Sequence, residues 1–196
     1  MTTPVEAARI EGMSLEEFVR RFDEERFELV DGEIIVMSPT RSQHTIVLEN
    51  IKDLLKTQVT KHNYGRVFSE TTYVLPDTSR KNWVKGSRIP DIMVVSWDKY
   101  RAFKKIDGWR DMPMMFIPDF VVEVLSPTDS YSEVLVKVGK YFADGVKLVC
   151  VVDARKKNVV VHVPGKEPAI LTEKETITGS DVLPDFSAKV SQFFED

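Results

Sequence analysis

The sequence predicts an α/β protein, close to the α+β boundary, with a mixed sheet flanked by helices. Three observations predict it. Short apolar runs rich in valine and isoleucine, among them 89–95, 120–126 and 146–153, are too short for helices and read as buried strands. Two stretches, 42–62 and 130–144, instead repeat apolar residues at three- and four-residue steps. The second of these stands between two of the apolar runs, the strand–helix–strand order of a helix-covered sheet.

Taken in order, residues 1–12 read as a flexible leader and 13–196 as one domain. Ser14 with Glu17 is a capping box opening a helix to about Asp23, with Leu15, Phe18 and Val19 on one face. Residues 27–37 are two β-rich arms about Asp31-Gly32, a pair suited to the positive φ of a tight hairpin, and Ser38-Pro39-Thr40 ends them. The helix over 42–62 uses Ile46, Val47, Ile51, Leu54, Leu55 and Val59 and stops at Asn63-Tyr64-Gly65. Residues 66–75 alternate as a strand, and 76–87 read as a polar loop. After the strand at 89–95, the charged segment 96–118 is expected to be part helix and part loop at the rim of a site.

The strand at 120–126 leads through a turn at 126–129 into the helix 130–144, which Gly145 closes. A buried strand over 146–153 turns at 155–158 into a hairpin partner at 159–163. Short strands follow near Ile170 and Thr176, and the tail 186–194 is expected to pack as a last helix or turn.

Composition bounds the function classes. A chain of 196 residues can bury a sizeable core. It contains no apolar run near the roughly 20 residues of a membrane-spanning helix. The N-terminus lacks the basic-then-apolar order of a secretion signal. The lone cysteine, Cys150, lies in an apolar run and reads as a core residue, so a cytoplasmic protein is expected. A net charge of −4 weighs against gripping nucleic acid over the whole surface. Residues 80–110 are nevertheless strongly basic, with Trp83, Trp97, Tyr100, Phe103 and Trp109 interleaved. Such a segment contacts phosphates and bases, or is a solvated face anchored by its aromatics; the sequence leaves both open.

Chemistry enters at Asp91 and Glu123, each a carboxylate inside an apolar run. A buried ionised carboxylate costs several kcal/mol unless a partner or cation neutralises it. On neighbouring strands the two would form a hard-oxygen site for Mg²⁺ or Mn²⁺. The plainer alternatives are that Asp91 caps a turn and that Glu123 pairs with a basic residue. On the following helix Glu133, Lys137 and Tyr141 share a face. Lys137 would then orient water or stabilise transition-state charge, or else form an ordinary pair with Glu133. Glu28 is a surface residue or a third acid, and Asp31 is a turn residue. His44 reads as a polar residue at a helix start, and His62 and His162 lack ligand spacing, so zinc is not expected. No glycine-rich phosphate loop or Gly-x-Ser-x-Gly elbow is present.

The motifs Glu28-Leu29-Val30-Asp31-Gly32-Glu33, Met37-Ser38-Pro39 with His44, Pro90-Asp91-Ile92, Val122-Glu123-Val124-Leu125-Ser126-Pro127, Lys137 with Tyr141, Gly145-Val146 and Val152-Asp153 together resemble the Uma-type restriction-endonuclease family. The resemblance spans residues 13–194 and implies the PD-(D/E)XK nuclease fold: a central mixed sheet flanked by helices around a Mg²⁺-dependent site acting on DNA, in an enzyme that works as a homodimer. By that likeness Asp91 is the motif's aspartate and Glu123 its second acid. The motif lysine would fall at Leu125, and Lys137 on the helix is the substitute. Glu28 and the backbone carbonyl of Val124 would complete the metal site, and His44 matches a family histidine. Glu133 departs from the usual aspartate, and Val149-Cys150 replaces an aromatic. The expectation is a metal-dependent endodeoxyribonuclease; the alternative is a non-cleaving module that keeps the fold and binds nucleic acid or a protein partner.

Overall fold

The computed structural model describes residues 11–37, 41–126 and 129–195. Most of the expected leader, the hairpin stop at 38–40 and half of the expected turn at 126–129 lie outside the described residues.

A two-residue strand, β1 (Met13–Ser14), runs into α1 (Leu15–Glu24), whose Ser14 cap accepts the Glu17 N–H at 3.1 Å. Only that half of the expected capping box forms, because the Glu17 carboxylate turns to Arg20 and Arg21. β2 (Phe27–Val30) and β3 (Glu33–Val36) make the predicted hairpin, with Asp31 and Gly32 at φ 50° and 83°. α2 (Ser42–Lys61) buries His44, Val47, Leu48, Ile51, Leu55 and Val59. Ile46, expected on that face, is exposed, since the buried row through 44, 48, 51, 55 and 59 passes it by.

The single strand expected over 66–75 is two, β4 (Gly65–Ser69) and β5 (Tyr73–Pro76), in different sheets. The break falls at Glu70, in the left-handed region at φ 45°, with its N–H on the Asp91 carbonyl. The expected polar loop holds a strand, β6 (Trp83–Arg88). Its polar residues misled the reading because Ser87 and Arg88 are buried, where each makes a hydrogen bond to the β2 backbone at Leu29. β7 (Ile92–Ser96) starts later than Ile89, since Pro90 has no N–H to give a ladder and the Ile89 N–H goes to Glu28.

Then follow α3 (Trp97–Phe103), a 3₁₀ turn (Trp109–Asp111), β8 (Phe120–Val124) and α4 (Tyr131–Asp144). α4 opens on a full Ser130–Glu133 capping box and closes at Gly145, φ 108°. β9 (Leu148–Asp153), β10 (Asn158–His162), β11 (Ala169–Thr172) and β12 (Thr176–Gly179) match the predicted order. The tail is divided: its first four residues belong to β13 (Leu183–Lys189), and Val190–Phe194 forms the expected last helical turn, as a 3₁₀ segment.

The main sheet has the order β11-β10-β9-β8-β7-β4. Only β8 and β9 are parallel neighbours, and α4 is the crossover that parallel neighbours require. One face packs on α2 through Val47, Leu48, Ile51 and Leu55 with Ile92, Phe120, Val122 and Val124. The other packs on α3 and α4 through Met93, Val95 and Val121 with Tyr100, Val134, Val138 and Tyr141. A three-stranded sheet, β1-β6-β5, and the β2–β3 hairpin close a third cluster around Phe18, Phe27 and Leu29. This arrangement is the expected mixed α/β sheet flanked by helices.

Candidate active site

The centre of the sheet opens at one end. The β7–β8 ladder runs antiparallel through Ile92↔Val122, and one step beyond puts Asp91 directly across from Glu123. Asp91 replaces the missing backbone partner there: its Oδ2 accepts the Val124 N–H at 2.6 Å. Its Oδ1 lies 3.2 Å from His44 Nε2, the first turn of α2 having carried that ring under the strand end. The bond to Asp91 holds the His44 pKa above the usual imidazole range, against the effect of burial. His44 Nδ1 is buried without a partner among the described residues.

Glu123 follows strand alternation onto the α4 face, beside Val121 rather than Val122. Its Oε2 accepts from Lys137 Nζ at 2.8 Å and its Oε1 from the Tyr141 hydroxyl. Four residues apart on α4, these two donors stack along one side of the helix. Burial pushes the Glu123 carboxyl up to about 7; Lys137 pulls against that and Asp91 adds to it. Burial opposes the Lys137 charge, but Glu123 and Glu28 outweigh it and hold its pKa above the usual lysine range.

Glu28 comes from β2. Its Oε1 accepts the Ile89 N–H at 2.7 Å and lies 3.9 Å from Lys137 Nζ. The strand carrying it is clamped by Ser87 Oγ, which accepts the Leu29 N–H at 2.8 Å, and by Arg88 Nη1, which donates to the Leu29 carbonyl at 3.0 Å. Arg88 in turn pairs with buried Asp144 at 3.4 Å, and Asp144 accepts the Tyr73 hydroxyl at 2.8 Å.

Asp91, Glu123, Val124, Glu28, His44 and Lys137 therefore share one cleft of ≈ 590 Å³. Its wall adds Asp129 and Glu133 to the acids and Arg88 and Lys140 to the bases, with Ile35, Val36, Met37 and Val136 as apolar lining. A larger cavity, ≈ 970 Å³, lies over Arg80, Lys85 and Asp144 and contains none of the expected site residues, sharing only the wall residue Arg88 with the cleft. Chemistry, not size, selects the smaller cleft. The alternative Glu133–Lys137 pair is not seen among the described residues: Glu133 is spent on its cap, and Lys137 reaches across to Glu123 and Glu28. The segment 96–118, expected at the rim, lines no part of this cleft, because α3 leaves from the far end of β7. Sequence reasoning missed Ser87 and Arg88 as supports; a buried strand written in polar letters gives no periodic signal.

The donor chemistry suits a hard cation. Each carboxylate oxygen of Asp91 and Glu123 carries one hydrogen bond and retains lone pairs. Among the described residues no three His, Cys, Asp or Glu side chains gather as a metal-enclosing group. Mg²⁺ is usually held by one or two carboxylates, with water and phosphate oxygens completing its shell.

A mixed sheet opening between two acid-bearing strands, with a lysine supplied by the covering helix, defines a restriction-endonuclease-like α/β protein. The chain belongs to the Uma2 family, described as "Putative restriction endonuclease", whose profile matches residues 15–191. Membership implies a divalent metal and a nucleic-acid substrate at the level of the family. Five solved chains match the fold. One, from Anabaena variabilis ATCC 29413 and described as "a putative nuclease belonging to DUF820", is 19% identical with a TM-score of 0.73, covering 93% of this chain and 97% of its own. No curated protein matches the sequence.

Proposed function

We propose that this protein is a Mg²⁺- or Mn²⁺-dependent endonuclease that hydrolyses DNA phosphodiester bonds. The observation that carries the reading is Asp91 facing Glu123 across the open end of β7 and β8, with Lys137 2.8 Å from Glu123. Asp91 and Glu123 would hold the ion. The Val124 carbonyl is the natural third donor, because a residue in a strand presents its C=O on the same side as its N–H, and that N–H faces Asp91. Bound there, a divalent cation supplies Lewis acidity toward a phosphodiester oxygen and makes water a stronger nucleophile.

The chain's own groups set the geometry. His44 and the Val124 N–H fix both oxygens of Asp91, and Tyr141 fixes Glu123, so neither carboxylate turns freely. Lys137 is held between Glu123 and Glu28 and presents a donor for the attacking water or for charge developing on the phosphate. The cleft lining is acidic, with Glu28, Asp91, Glu123, Asp129 and Glu133 against Arg88, Lys137 and Lys140. A phosphate entering it meets repulsion unless a cation is present, which makes productive binding metal-dependent. The homodimer belongs to the same reading and rests on the resemblance, and the cytoplasmic location rests on the composition and the lone Cys150; no described helix is long and apolar enough to cross a membrane.

A second reading has its own observation. Each acid already has a basic partner, Asp91 in His44 and Glu123 in Lys137, and the motif position for lysine holds Leu125. That is the pattern of a fold kept for binding without turnover. Nicking of supercoiled plasmid separates the two. The nuclease nicks with Mg²⁺ or Mn²⁺, stops in chelator, and loses activity on Asp91→Asn and on Glu123→Gln. Retained DNA binding with no nicking under any divalent ion would establish the non-cleaving module instead.

A further inference from the structure

The basic, aromatic segment that the cleft does not use forms an ordered surface of its own. Arg66 stacks over Phe68 at 5.4 Å and over Tyr100 at 5.3 Å. Tyr100 also carries Lys104, which lies 5.5 Å over Trp109, and Trp109 carries Arg110 at 4.8 Å. Arg101 stacks on Trp97, whose ring meets Tyr100. The result is a continuous ladder of alternating cations and rings across β4, α3 and the 3₁₀ turn. All four cations are exposed, and among the described residues none has a carboxylate within ion-pair distance. Other exposed cations, such as Lys56, Lys61, Lys166 and Lys174, also lack an acid partner among the described residues, but they are not gathered over aromatic rings as these four are.

We propose that this ladder is a docking surface for the phosphates of nucleic acid, engaged without regard to base sequence. Unneutralised cations on an acidic protein are complementary to a polyanion, and binding releases the polyanion's counterions. Stacking fixes their spacing, so less side-chain freedom is lost on contact. The rings are not available for base stacking. Tyr100 is buried, Phe68, Trp97 and Trp109 are half-buried in the core beneath, and cations lie over their faces. Contact is therefore with the backbone, which carries no sequence information. The surface begins where β7 ends at Ser96, roughly 17 Å along the strand from Asp91, and is separate from the cleft. It does not require that the cleft cleave anything.

Fluorescence anisotropy of labelled short duplexes in chelator tests it with cleavage silenced. Two duplexes of unrelated sequence should bind equally, with log affinity falling linearly as log KCl rises. Replacing the ladder charges (Arg66→Gln, Arg101→Gln, Lys104→Gln, Arg110→Gln together) should weaken binding at least ~10-fold at moderate salt and flatten the slope by about 3.6 if all four contact phosphates. Removing the same charge elsewhere (Lys56, Lys61, Lys166 and Lys174 to Gln) should change affinity by less than about twofold, since only phosphate contacts release counterions. A triple Arg→Lys version, which keeps charge, should retain most of the affinity. Equal losses in the ladder and relocated variants, no loss in the ladder variant, or binding of phosphatidylglycerol vesicles but not of duplex would each overturn the proposal.

Discussion

Lys137 Nζ lies 2.8 Å from Glu123 Oε2, although fourteen positions separate the two residues and the residue two places after Glu123 is Leu125. Residues two apart on a strand share a face, so position 125 and the α4 helix address the same space above Glu123. Lys137→Met should therefore lower metal-dependent nicking by at least ~100-fold, the loss of a stabilising donor in a desolvated site. Adding Leu125→Lys to that variant should restore part of the rate, because an ammonium returns to the same side of Glu123. Plasmid nicking rates of the three proteins check both expectations.

Glu28 is tied to the Ile89 N–H and stands 3.9 Å from Lys137, so its main work is to hold β2 against the start of β7. Glu28→Gln keeps the acceptor and removes the charge. The unfolding free energy from urea titration should change by less than about 1 kcal/mol, the net worth of one hydrogen bond. Mn²⁺ titration calorimetry should show a drop of less than ~10-fold, against at least ~100-fold for Asp91→Asn, where a direct ligand is lost. Equal losses in both would move Glu28 into the ion's own shell.

Arg88 is buried among three acceptors, the Leu29 and Ser87 carbonyls and Asp144. Arg88→Ala should cost about 3–5 kcal/mol, because it strands a buried carboxylate and a buried carbonyl. Asp144→Asn should cost less, since the amide oxygen can still accept from Arg88 while the amide N–H donates to the Tyr73 hydroxyl oxygen in place of the bond it loses. Chemical denaturation of the two variants gives the ranking; a larger loss for Asp144→Asn would remove Arg88 from its clamping role.

Asp119 gives the pH-dependent case. Burial raises its pKa, but Lys99, the Ser96 N–H and Lys147 overcome burial and hold it below the ordinary carboxylate value. A depressed folded pKa means stability present above the unfolded value, about 3.9, and lost as pH falls through the folded one. Asp119→Asn should therefore be less stable than wild type by about 1–3 kcal/mol near neutrality. The gap should shrink steadily below about pH 4, as thermal melts across acid pH would record.

Much of this was legible in the residues. Asp31-Gly32 announced its hairpin because only positive φ closes so short a turn, and the 3.6-residue rows of α2 and α4 announced the two long helices. Asp91 and Glu123 stood out because charge among valines demands a partner. What failed to show were elements whose periodicity is masked. β6 is largely buried yet spelled with Ser87 and Arg88 on its inner positions, and their burial depends on a strand far away in sequence. The break at Glu70 turns on a backbone bond to Asp91, which no local pattern records.

The sequence alone determined the local elements and the identity of the acids, since propensity, turn chemistry and the cost of a buried charge act over a few residues. Tertiary structure alone decided that Asp91 faces Glu123, that Lys137 answers Glu123 rather than Glu133, and that the cations from Arg66 to Arg110 form one ladder away from the cleft. Strand register and helix placement are settled by which distant faces exclude water together, and no short stretch of chain contains that information.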